Sequence, residues 1–310
     1  MILVTGATNF VGREVVRQLV AQGYEVCCLV ETSQFEQQLP TDVTFSVVSA
    51  DLRDGTGLDR ALRGVTAVIH LTREEERPQE RRLQHHVEGT RNLVASAKEA
   101  GVPRFIYLSR LGATPASAYP LFRTKGESEI AIAESGLQHT ILRSAIIYGP
   151  EDAFTMRLVM VAKMCPLMLP IPDVGMVRFQ PVWIGDLARC VVAAVSRDDL
   201  IGRMIPLGGP GHFTLGQTVH RVLEGAGMRS RLLHVSIPLM QTGQRALDAL
   251  LVRNVAPGWW LDLAAVGSAT DLGTIPKHFS FEPSRFAHRL TYLRRSRPWR
   301  RLFIRHVLGR

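Results

Sequence analysis

The sequence is poor in cysteine and has none of the cysteine spacings that mark metal or redox sites. Its four cysteines are Cys27, Cys28, Cys165 and Cys190, and no CxxC pair occurs. We therefore expect no bound metal and predict buried thiols in a reducing compartment. With 310 residues, 46% hydrophobic and 21% charged, the chain has the composition of a globular protein with a large core.

A long uninterrupted apolar run is also missing. The most apolar segment, residues 154–172, contains an arginine, a lysine and three prolines, so it falls short of the roughly 20 apolar residues of a spanning helix. Met1 leads straight into the first apolar run, so we expect no targeting peptide and a cytoplasmic location. Within the segment a methionine recurs at every fourth residue (Met156, Met160, Met164 and Met168), which favours a packed core face over a ligand surface.

Acidic residues are missing from residues 283–310, which contain nine arginines. Without those nine, 37 − 9 = 28 basic residues balance the 28 acidic ones, so residues 1–282 are formally neutral and the net charge of +9 belongs to this basic tail. After Pro298, Trp299, Leu302 and Phe303 alternate with arginines as in a short amphipathic helix. This pattern favours peripheral docking on the cytoplasmic face of a membrane, or on an acidic partner, over nucleic acid. A solvated, disordered chain end is the alternative.

Strand-like and helix-like segments alternate along the first half of the chain. Strands are predicted near residues 2–4, 25–30, 43–48, 67–71, 104–108 and 140–143, and helices near 58–62, 83–100 and 124–134. This alternation predicts an α/β fold, a Rossmann-type doubly wound parallel sheet with its ligand at the carboxyl ends of the strands.

The regular alternation of predicted strands and helices ends after Pro150, where a smaller C-terminal α/β region is expected. We predict a strand over 176–183, a helix over 186–196, a strand over 204–207 and further helices from Thr214. The predicted domains are a dinucleotide-binding domain over 1–150, continued by about 176–207, and a substrate-side region over 151–175 and 208–282. The basic tail over 283–310 follows.

The first twelve residues carry the clearest functional signal. An apolar strand leads into Gly6-x-x-Asn9-x-x-Gly12, and an amphipathic helix follows, which is the context of a dinucleotide fingerprint. Asn9 occupies the place of the middle glycine, where we expect it to tolerate positive φ and to narrow the approach of a phosphate. Glu31, 19 residues beyond Gly12, would hold the ribose hydroxyls and favour NAD(H) over NADP(H). A tight turn without a ligand, with Glu31 an exposed charge, is the alternative.

The chain resembles the atypical, extended-type short-chain dehydrogenase/reductases, which are NAD-dependent epimerase/dehydratase-like proteins. The similarity points to the NmrA-like branch that includes the NDUFA9-type accessory subunit of respiratory complex I. The matching stretches are residues 4–12, 51–53, 68–71, 87–94, 104–109, 123–127, 140–143, 148–151 and 180–186.

The resemblance implies a set of cofactor-binding residues. Asp51 would lie beside the adenine, His70 to Thr72 would separate the adenosine from the nicotinamide riboside, and Lys125 would bind ribose hydroxyls. The full set is Gly6, Thr8, Asn9, Phe10, Val11, Gly12, Glu31, Asp51, Leu52, His70, Leu71, Thr72, Ser109, Lys125 and Ile147.

The catalytic set of the family is incomplete. Its members place a tyrosine four residues before the lysine, but that position is Leu121, and Tyr119 lies six before Lys125. Ser109 falls one position short of the catalytic serine, where Arg110 stands. Tyr119 and Lys125 are therefore only weak catalytic candidates, because a proton donor must lie within hydrogen-bond reach of the reacting atom.

These departures predict an NAD(P)(H)-binding protein that is non-catalytic. We expect an accessory subunit or assembly factor docked, through residues 283–310, to a membrane-bound respiratory or photosynthetic electron-transfer complex. The alternative is an active reductase, epimerase or dehydratase acting on a small or isoprenoid-like substrate, with Tyr119 or Tyr148 supplying the proton. A nucleotide-free interaction module is least favoured, because Gly6 and Gly12 would then serve no ligand.

Overall fold

A computed structural model describes residues 1–31, 38–71, 80–173, 175–240, 242 and 266–294. The strands are β1 (Ile2–Thr5), β2 (Val26–Val30), β3 (Ser46–Ser49), β4 (Ala67–His70), β5 (Phe105–Arg110), β6 (His139–Ser144), β7 (Ile147–Tyr148), β8 (Met168–Pro172), β9 (Arg178–Phe179), β10 (Val182–Trp183), β11 (Arg203–Leu207), β12 (Phe213–Thr214) and β13 (Arg231–Val235). The helices are α1 (Phe10–Ala21), α2 (Leu58–Ala61), α3 (Glu80–Glu99), α4 (Pro120–Ala133), α5 (Ala153–Met164), α6 (Ile184–Ala193), α7 (Leu215–Gly225) and α8 (Thr274–Phe279), with 3-10 helices at Asp198–Leu200 and Phe286–Arg294.

The chain divides into two compact units. The first contains residues 1–144, 184–207 and 273–281, and the second contains residues 145–183, 208–272 and 282–310. The assignment of dinucleotide and substrate roles to particular domains stays a prediction.

The first unit is built on a seven-stranded parallel sheet with the order β11-β6-β5-β4-β1-β2-β3. β1 pairs with β2 on one side and with β4 on the other, so the strand order reverses beside β1. The central strands β1, β2 and β4 are buried along their whole length, as expected for a parallel sheet that is covered on both sides by helices, whereas the edge strand β3 is largely exposed. The predicted α/β class and Rossmann-type sheet are confirmed.

Helix α4 begins four residues earlier than the sequence pattern predicted. Pro120 is its first residue and Tyr119 is the N-cap. Proline suits this position because its fixed φ is helical and the first amide needs no intrahelical partner. The helix predicted over 124–134 therefore lacked its first turn.

The strand predicted over residues 176–183 is wrong, because two short strands, β9 and β10, replace it. Pro181 lies between them and has no N–H for a strand ladder. The side chain of Gln180, which is fully buried, donates to the Gly209 carbonyl at 2.6 Å and accepts from the Thr270 amide at 2.8 Å. It binds two other loops at the place where the strand is interrupted.

The second unit contains three small sheets, β7–β10, β9–β12 and β8–β13. The Asp152 carboxylate caps α5 and also accepts a hydrogen bond from the Tyr292 hydroxyl at 3.0 Å. Burial raises the pKa of Asp152, while its hydrogen bonds to Thr155, Gly149 and Tyr292 act in the opposite direction. These contacts connect α5 to the 3-10 helix Phe286–Arg294, so the first part of the predicted basic tail is packed into this unit.

Two expectations about apolar residues are only partly met. Met160 is buried in α5, but Met168 begins β8 and is 54% exposed, so the four methionines do not form one core face. Cys27, Cys28 and Cys190 are buried as expected, whereas Cys165 is exposed. Burial raises the pKa of Cys28 to about 12, so that thiol is inert at neutral pH.

Within the described residues, no helix combines the length and hydropathy that crossing a membrane requires.

Candidate dinucleotide site

The turn between β1 and α1 depends on its two glycines. Gly6 has a φ of +69°, and a Cβ atom there would lie 1.8 Å from the Leu71 carbonyl oxygen. A Cβ on Gly12 would lie 2.2 Å from the Gly6 carbonyl oxygen. Both glycines are therefore required by the close packing of the turn against itself and against the end of β4. The turn lies at the reversal of strand order, where doubly wound sheets bind their ligands.

Asn9 has a role different from the one predicted. Its φ is −79°, so a residue that tolerates positive φ is not required. Its Oδ1 accepts from the Gly12 amide at 2.6 Å, which caps α1, and its Nδ2 donates to the Leu71 carbonyl at 3.3 Å. The amides of Phe10 and Val11 precede the first intrahelical donor, Arg13, and so provide the positive end of the helix.

The remaining residues of this turn lie close to the same helix start. Thr8 is buried, and its carbonyl accepts from the Arg13 guanidinium at 2.7 Å. Val11 is buried on the core side of α1, and Leu71 is buried directly after β4. Thr72 lies outside the described residues.

The predicted acidic positions follow β2 and β3. Glu31 is exposed directly after β2. Asp51 forms a two-point ion pair with Arg53, at 3.1 and 2.7 Å, and these hydrogen bonds hold the pKa of Asp51 below its usual range. The pKa of Arg53 is raised, mainly by Asp51 and with a contribution from Glu31. Two carboxylates and one arginine therefore lie at the edge where an adenosine ribose would bind.

Sequence reasoning missed a residue that positions the loop after Asp51. The Asn92 side chain, on α3, donates to the carbonyls of Leu52 and Arg53 at 2.9 and 2.8 Å. Gly89, one turn earlier, brings α3 so close that a Cβ there would lie 3.1 Å from the Leu52 Cβ. Both residues fall within one of the family-like stretches, and that stretch was the only available signal.

The side chain of His70 belongs to the core of the first unit. It is 2% exposed, its Nδ1 lies 2.6 Å from the Thr5 hydroxyl, and its Nε2 lies 3.0 Å from the Thr90 hydroxyl. Burial, together with the charges of Lys125 and His86, lowers its pKa to about 3. His70 is therefore neutral at physiological pH and bonded at both ring nitrogens.

Lys125 projects from α4 toward the carboxyl end of β5. Its ammonium group donates to the Leu108 carbonyl at 3.0 Å and lies 5.2 Å from the centre of the Tyr107 ring. The next residue on β5, Ser109, is buried, and its hydroxyl has no hydrogen-bond partner among the described residues. A buried hydroxyl without a partner is costly and calls for a partner such as a water or a ligand.

The structure places apolar or basic side chains at the positions where the family carries catalytic groups. Leu121 is 7% exposed on α4, one turn before Lys125. Arg110 is 3% exposed at the end of β5, in register with Ser144 of β6. Tyr119 precedes the helix, and its ring packs edge-on against Phe122 with 6.4 Å between ring centres.

Ile147, the last predicted cofactor residue, is half-buried in β7 and belongs to the second unit. Tyr148, considered as an alternative proton donor, is fully buried between the rings of Trp183 and Phe286. No cluster of three metal-ligating side chains occurs in the part of the chain that the structure describes.

A sequence model of proteins described as NAD(P)H-binding matches residues 6–162, a range that includes the glycine turn, Asp51 and Lys125. This chain belongs to the NAD(P)H-binding family. Among relatives of the family, NADH dehydrogenase (ubiquinone) 1 alpha subcomplex subunit 9 of Arabidopsis thaliana is 32% identical over 219 residues, 68% of this chain and 54% of that protein. Photosystem II assembly factor Ycf39 of Synechocystis is 31% identical over 144 residues, 46% of this chain and 44% of that protein. The chain thus spans about half the length of these relatives.

A third relative covers more of both chains. The ceramide reductase of Caulobacter vibrioides is 28% identical over 254 residues, 80% of this chain and 78% of that protein. Among solved structures, the NADPH-dependent quinone oxidoreductase QOR2 of Escherichia coli, complexed with NADPH, has a TM-score of 0.77 at 22% identity, covering 94% of this chain and 99% of that one. The predicted resemblance is confirmed for the NAD(P)H-binding family and for the NADH dehydrogenase subunit 9 relative, and the fold is shared with a nucleoside-diphosphate-sugar epimerase of Staphylococcus aureus at a TM-score of 0.75 and 19% identity.

Proposed function

We propose that this protein is a non-catalytic NAD(P)(H)-binding subunit or assembly factor of a membrane-bound electron-transfer complex. The observation that carries the proposal is Leu121, a buried side chain with no titratable proton, one helical turn before Lys125. In the resembling family that position holds the tyrosine that transfers the proton. At the end of β5, the position of the family's catalytic serine holds Arg110.

The residues of the first unit fit a dinucleotide. The start of α1 presents the amides of Phe10 and Val11 at the reversal of strand order, which suits a pyrophosphate. The buried Ser109 hydroxyl at the end of β5 offers a donor for a bound group. When bound, the nicotinamide would supply hydride-transfer chemistry, and the residues of this chain would hold and orient it.

The preference within NAD(P)(H) follows from charge. Glu31, directly after β2, would accept hydrogen bonds from the ribose hydroxyls and repel a 2′-phosphate, which favours NAD(H). Arg53 lies close enough to interact with Glu31, but its guanidinium is held by Asp51. The charge of Glu31 is therefore the one that would determine which nucleotide binds at the end of β2.

Two titratable side chains near the end of β5, His70 and Lys125, are held by hydrogen bonds within the fold. His70 is neutral with both ring nitrogens bonded, and Lys125 donates to a backbone carbonyl. A general base or acid works best when its pKa lies near the working pH, and burial moves the pKa of His70 to about 3. These groups stabilise the fold and position the cofactor.

Docking to a membrane complex is supported by the relatives and by the tail. Two relatives are named as a subunit of NADH dehydrogenase and as a photosystem II assembly factor. Residues 283–310 contain nine arginines and no acid, which suits an anionic surface on the cytoplasmic face of a membrane. Peripheral attachment through this segment completes the proposal.

The proposal is tested on the native protein purified with its bound small molecules and protein partners. We expect stoichiometric NAD(H) or NADP(H), co-purification of subunits of an electron-transfer complex, and no oxidation or reduction of that nucleotide by carbonyl, sugar or isoprenoid substrates. Turnover with any of these substrates that is abolished by Tyr119→Phe would contradict it.

A second candidate, an active reductase, is favoured by one observation. The ceramide reductase is the relative described here that covers the greatest share of this chain. Tyr119 would have to supply the proton, because it is half-buried at the start of α4, whereas Tyr148 is fully buried. Oxidation of bound NAD(P)H on addition of a long-chain ketone, lost in Tyr119→Phe and retained in Tyr24→Phe, would establish this function.

A further inference from the structure

The second unit has a sheet face that is open to solvent. β8 and β13 pair in parallel with Met168 opposite Arg231 and Pro170 opposite Leu233. Side chains at paired positions lie on the same side of a sheet, and all four of these residues are exposed. Leu169, on the opposite side, is buried. We call these four residues, together with the exposed Leu167 that directly precedes β8, the open face.

The open face is unusually apolar for a solvent-exposed surface. Leu167 is 83% exposed, Met168 54% and Leu233 47%. Beyond the far ends of the two strands, Met176 and Leu239 are also exposed. Exposed apolar side chains that lie close together, as Met168 and Leu233 do on adjacent strands, mark interaction surfaces.

Positive charge is concentrated at the end of the face where the two strands begin. Lys163, in the last turn of α5, and Arg229 and Arg231, at the start of β13, are all exposed. Asp173 is exposed at the other end of β8, so the two ends differ in charge. The cationic end would be attracted to a negatively charged surface.

The last described residue, Arg294, is bonded to the end of α7, which precedes β13 in the chain. The Arg294 guanidinium donates to the carbonyl of Gly225, the last residue of α7, at 3.3 Å. Gly225 lies only six residues before Arg231. Residues 295–310 contain six arginines and no acidic residue. Arg294 is therefore bonded to the residue from which the turn to the cationic end of the open face begins.

We propose that the open face rests on an anionic lipid bilayer. Leu167, Met168 and Leu233 enter the headgroup region, and Arg231 contacts lipid phosphates. Apolar insertion and attraction to anionic lipid are the two components of interfacial binding. The inference rests on the proposed function for peripheral attachment to a membrane, and it assigns the part of the folded unit that touches lipid.

The edge of this sheet is poorly suited to the addition of a strand from a partner protein. Pro170 and Pro172 lie on β8 and have no N–H to donate to an added strand. A lipid surface requires no backbone hydrogen bonds from the sheet. The open face therefore suits a fluid apolar layer better than an added strand.

The test is flotation of the full chain with vesicles of phosphatidylcholine alone and of phosphatidylcholine with phosphatidylglycerol. We expect binding to the anionic vesicles that weakens about 25-fold or more in the double variant Leu167→Ser, Leu233→Ser, because each buried leucine contributes roughly a fivefold to tenfold factor. Arg231→Gln should reduce binding to anionic vesicles and leave binding to neutral ones unchanged. Leu272→Ser is the matched control, since that leucine is 57% exposed outside the open face.

Several outcomes would overturn the inference. One is unchanged vesicle binding by the double variant, and another is an equal loss of binding in Leu272→Ser. The inference also fails if the native chain does not bind anionic vesicles, or if the double variant loses a protein partner but keeps its vesicle binding. Thermal unfolding of each variant separates a surface effect from misfolding. If the native protein still co-purifies with nucleotide and a membrane complex while the face variants bind vesicles normally, this inference fails and the proposed function stands.

Discussion

The glycines of the first turn illustrate how one residue type is required by backbone geometry. In Gly6→Ala the Cβ atom would meet the Leu71 carbonyl at 1.8 Å in a left-handed conformation. We expect a loss of unfolding free energy of about 3 kcal/mol or more, from strain and displacement of the turn. Gly23→Ala is the matched control, because Gly23 has a φ of +81° and nothing within 4 Å, so about 1 kcal/mol is expected. Urea unfolding measures both, and equal losses would refute the packing argument.

Cofactor preference is predicted to depend on Glu31. Replacing it with serine in Glu31→Ser removes the charge that repels a 2′-phosphate and leaves Arg53 nearby. We expect the ratio of NADPH to NADH affinity to rise by about tenfold, as for the loss of one moderate charge interaction. Titration calorimetry with both nucleotides measures the ratio. Glu25→Ser, at the start of β2 rather than its end, should leave the ratio unchanged.

The buried His70 predicts a pH dependence of stability. Its pKa is about 3 in the folded chain and about 6.5 when unfolded, so the unfolded state binds one more proton between these values. Stability from this group is complete above pH 6.5 and falls by about 1.4 kcal/mol for each pH unit below it. In His70→Gln that slope should be absent, so urea unfolding at pH 7.5, 6.0 and 5.0 compares the two proteins. Parallel pH profiles would show that His70 is not responsible.

At the scale of elements, α3 is predicted to support the nucleotide edge through one side chain. In Asn92→Ala the carbonyls of Leu52 and Arg53 lose their donor. We expect a loss of stability of about 1 to 2 kcal/mol and weaker nucleotide binding, because the loop that carries Asp51 loses its support. Arg91→Ala, on the neighbouring exposed position of α3, should change neither quantity. Denaturant unfolding and nucleotide titration report the two effects separately.

The sequence pattern was sufficient to predict the central elements because their apolar periods are strong and local. Strands β1, β4 and β5 and helix α1 have near-continuous or amphipathic patterns that propensity and burial favour together. Side-chain roles within these elements were not predictable in the same way. Asn9 was placed correctly in the turn, but its contact with Leu71 depends on a residue 62 positions away in the chain.

In the second unit, several features could not be predicted from local sequence patterns. The break at Gln180 depends on hydrogen bonds to Gly209 and Thr270, which are distant in sequence. Met168 continued a four-residue methionine period, yet it lies in a strand because α5 ends at Met164. Long-range contacts of this kind are invisible to a short window of sequence.

At the scale of the whole molecule, the two parts of the basic segment are predicted to behave differently. Residues 286–294 are part of the folded second unit, since Phe286, Leu290 and Leu293 are each at most 2% exposed. Truncation after Glu282 would remove them together with the Tyr292 hydroxyl that contacts Asp152. It should therefore lower the unfolding temperature as well as membrane association, and so cannot isolate the role of the arginines.

Truncation after Arg294 is the informative change. It leaves Phe286, Leu290, Tyr292 and Leu293 in place and removes six arginines, Trp299 and Phe303. We expect the unfolding temperature and the nucleotide content to be unchanged, and association with anionic membranes to weaken at least about tenfold, because each basic residue near such a surface contributes about 1 kcal/mol. Membrane fractionation at low and high salt measures this loss. In the full-length chain, replacing the six arginines by lysine should preserve most of the binding if charge is responsible. Loss of binding in that variant would instead indicate a protein partner that recognises the arginine side chains.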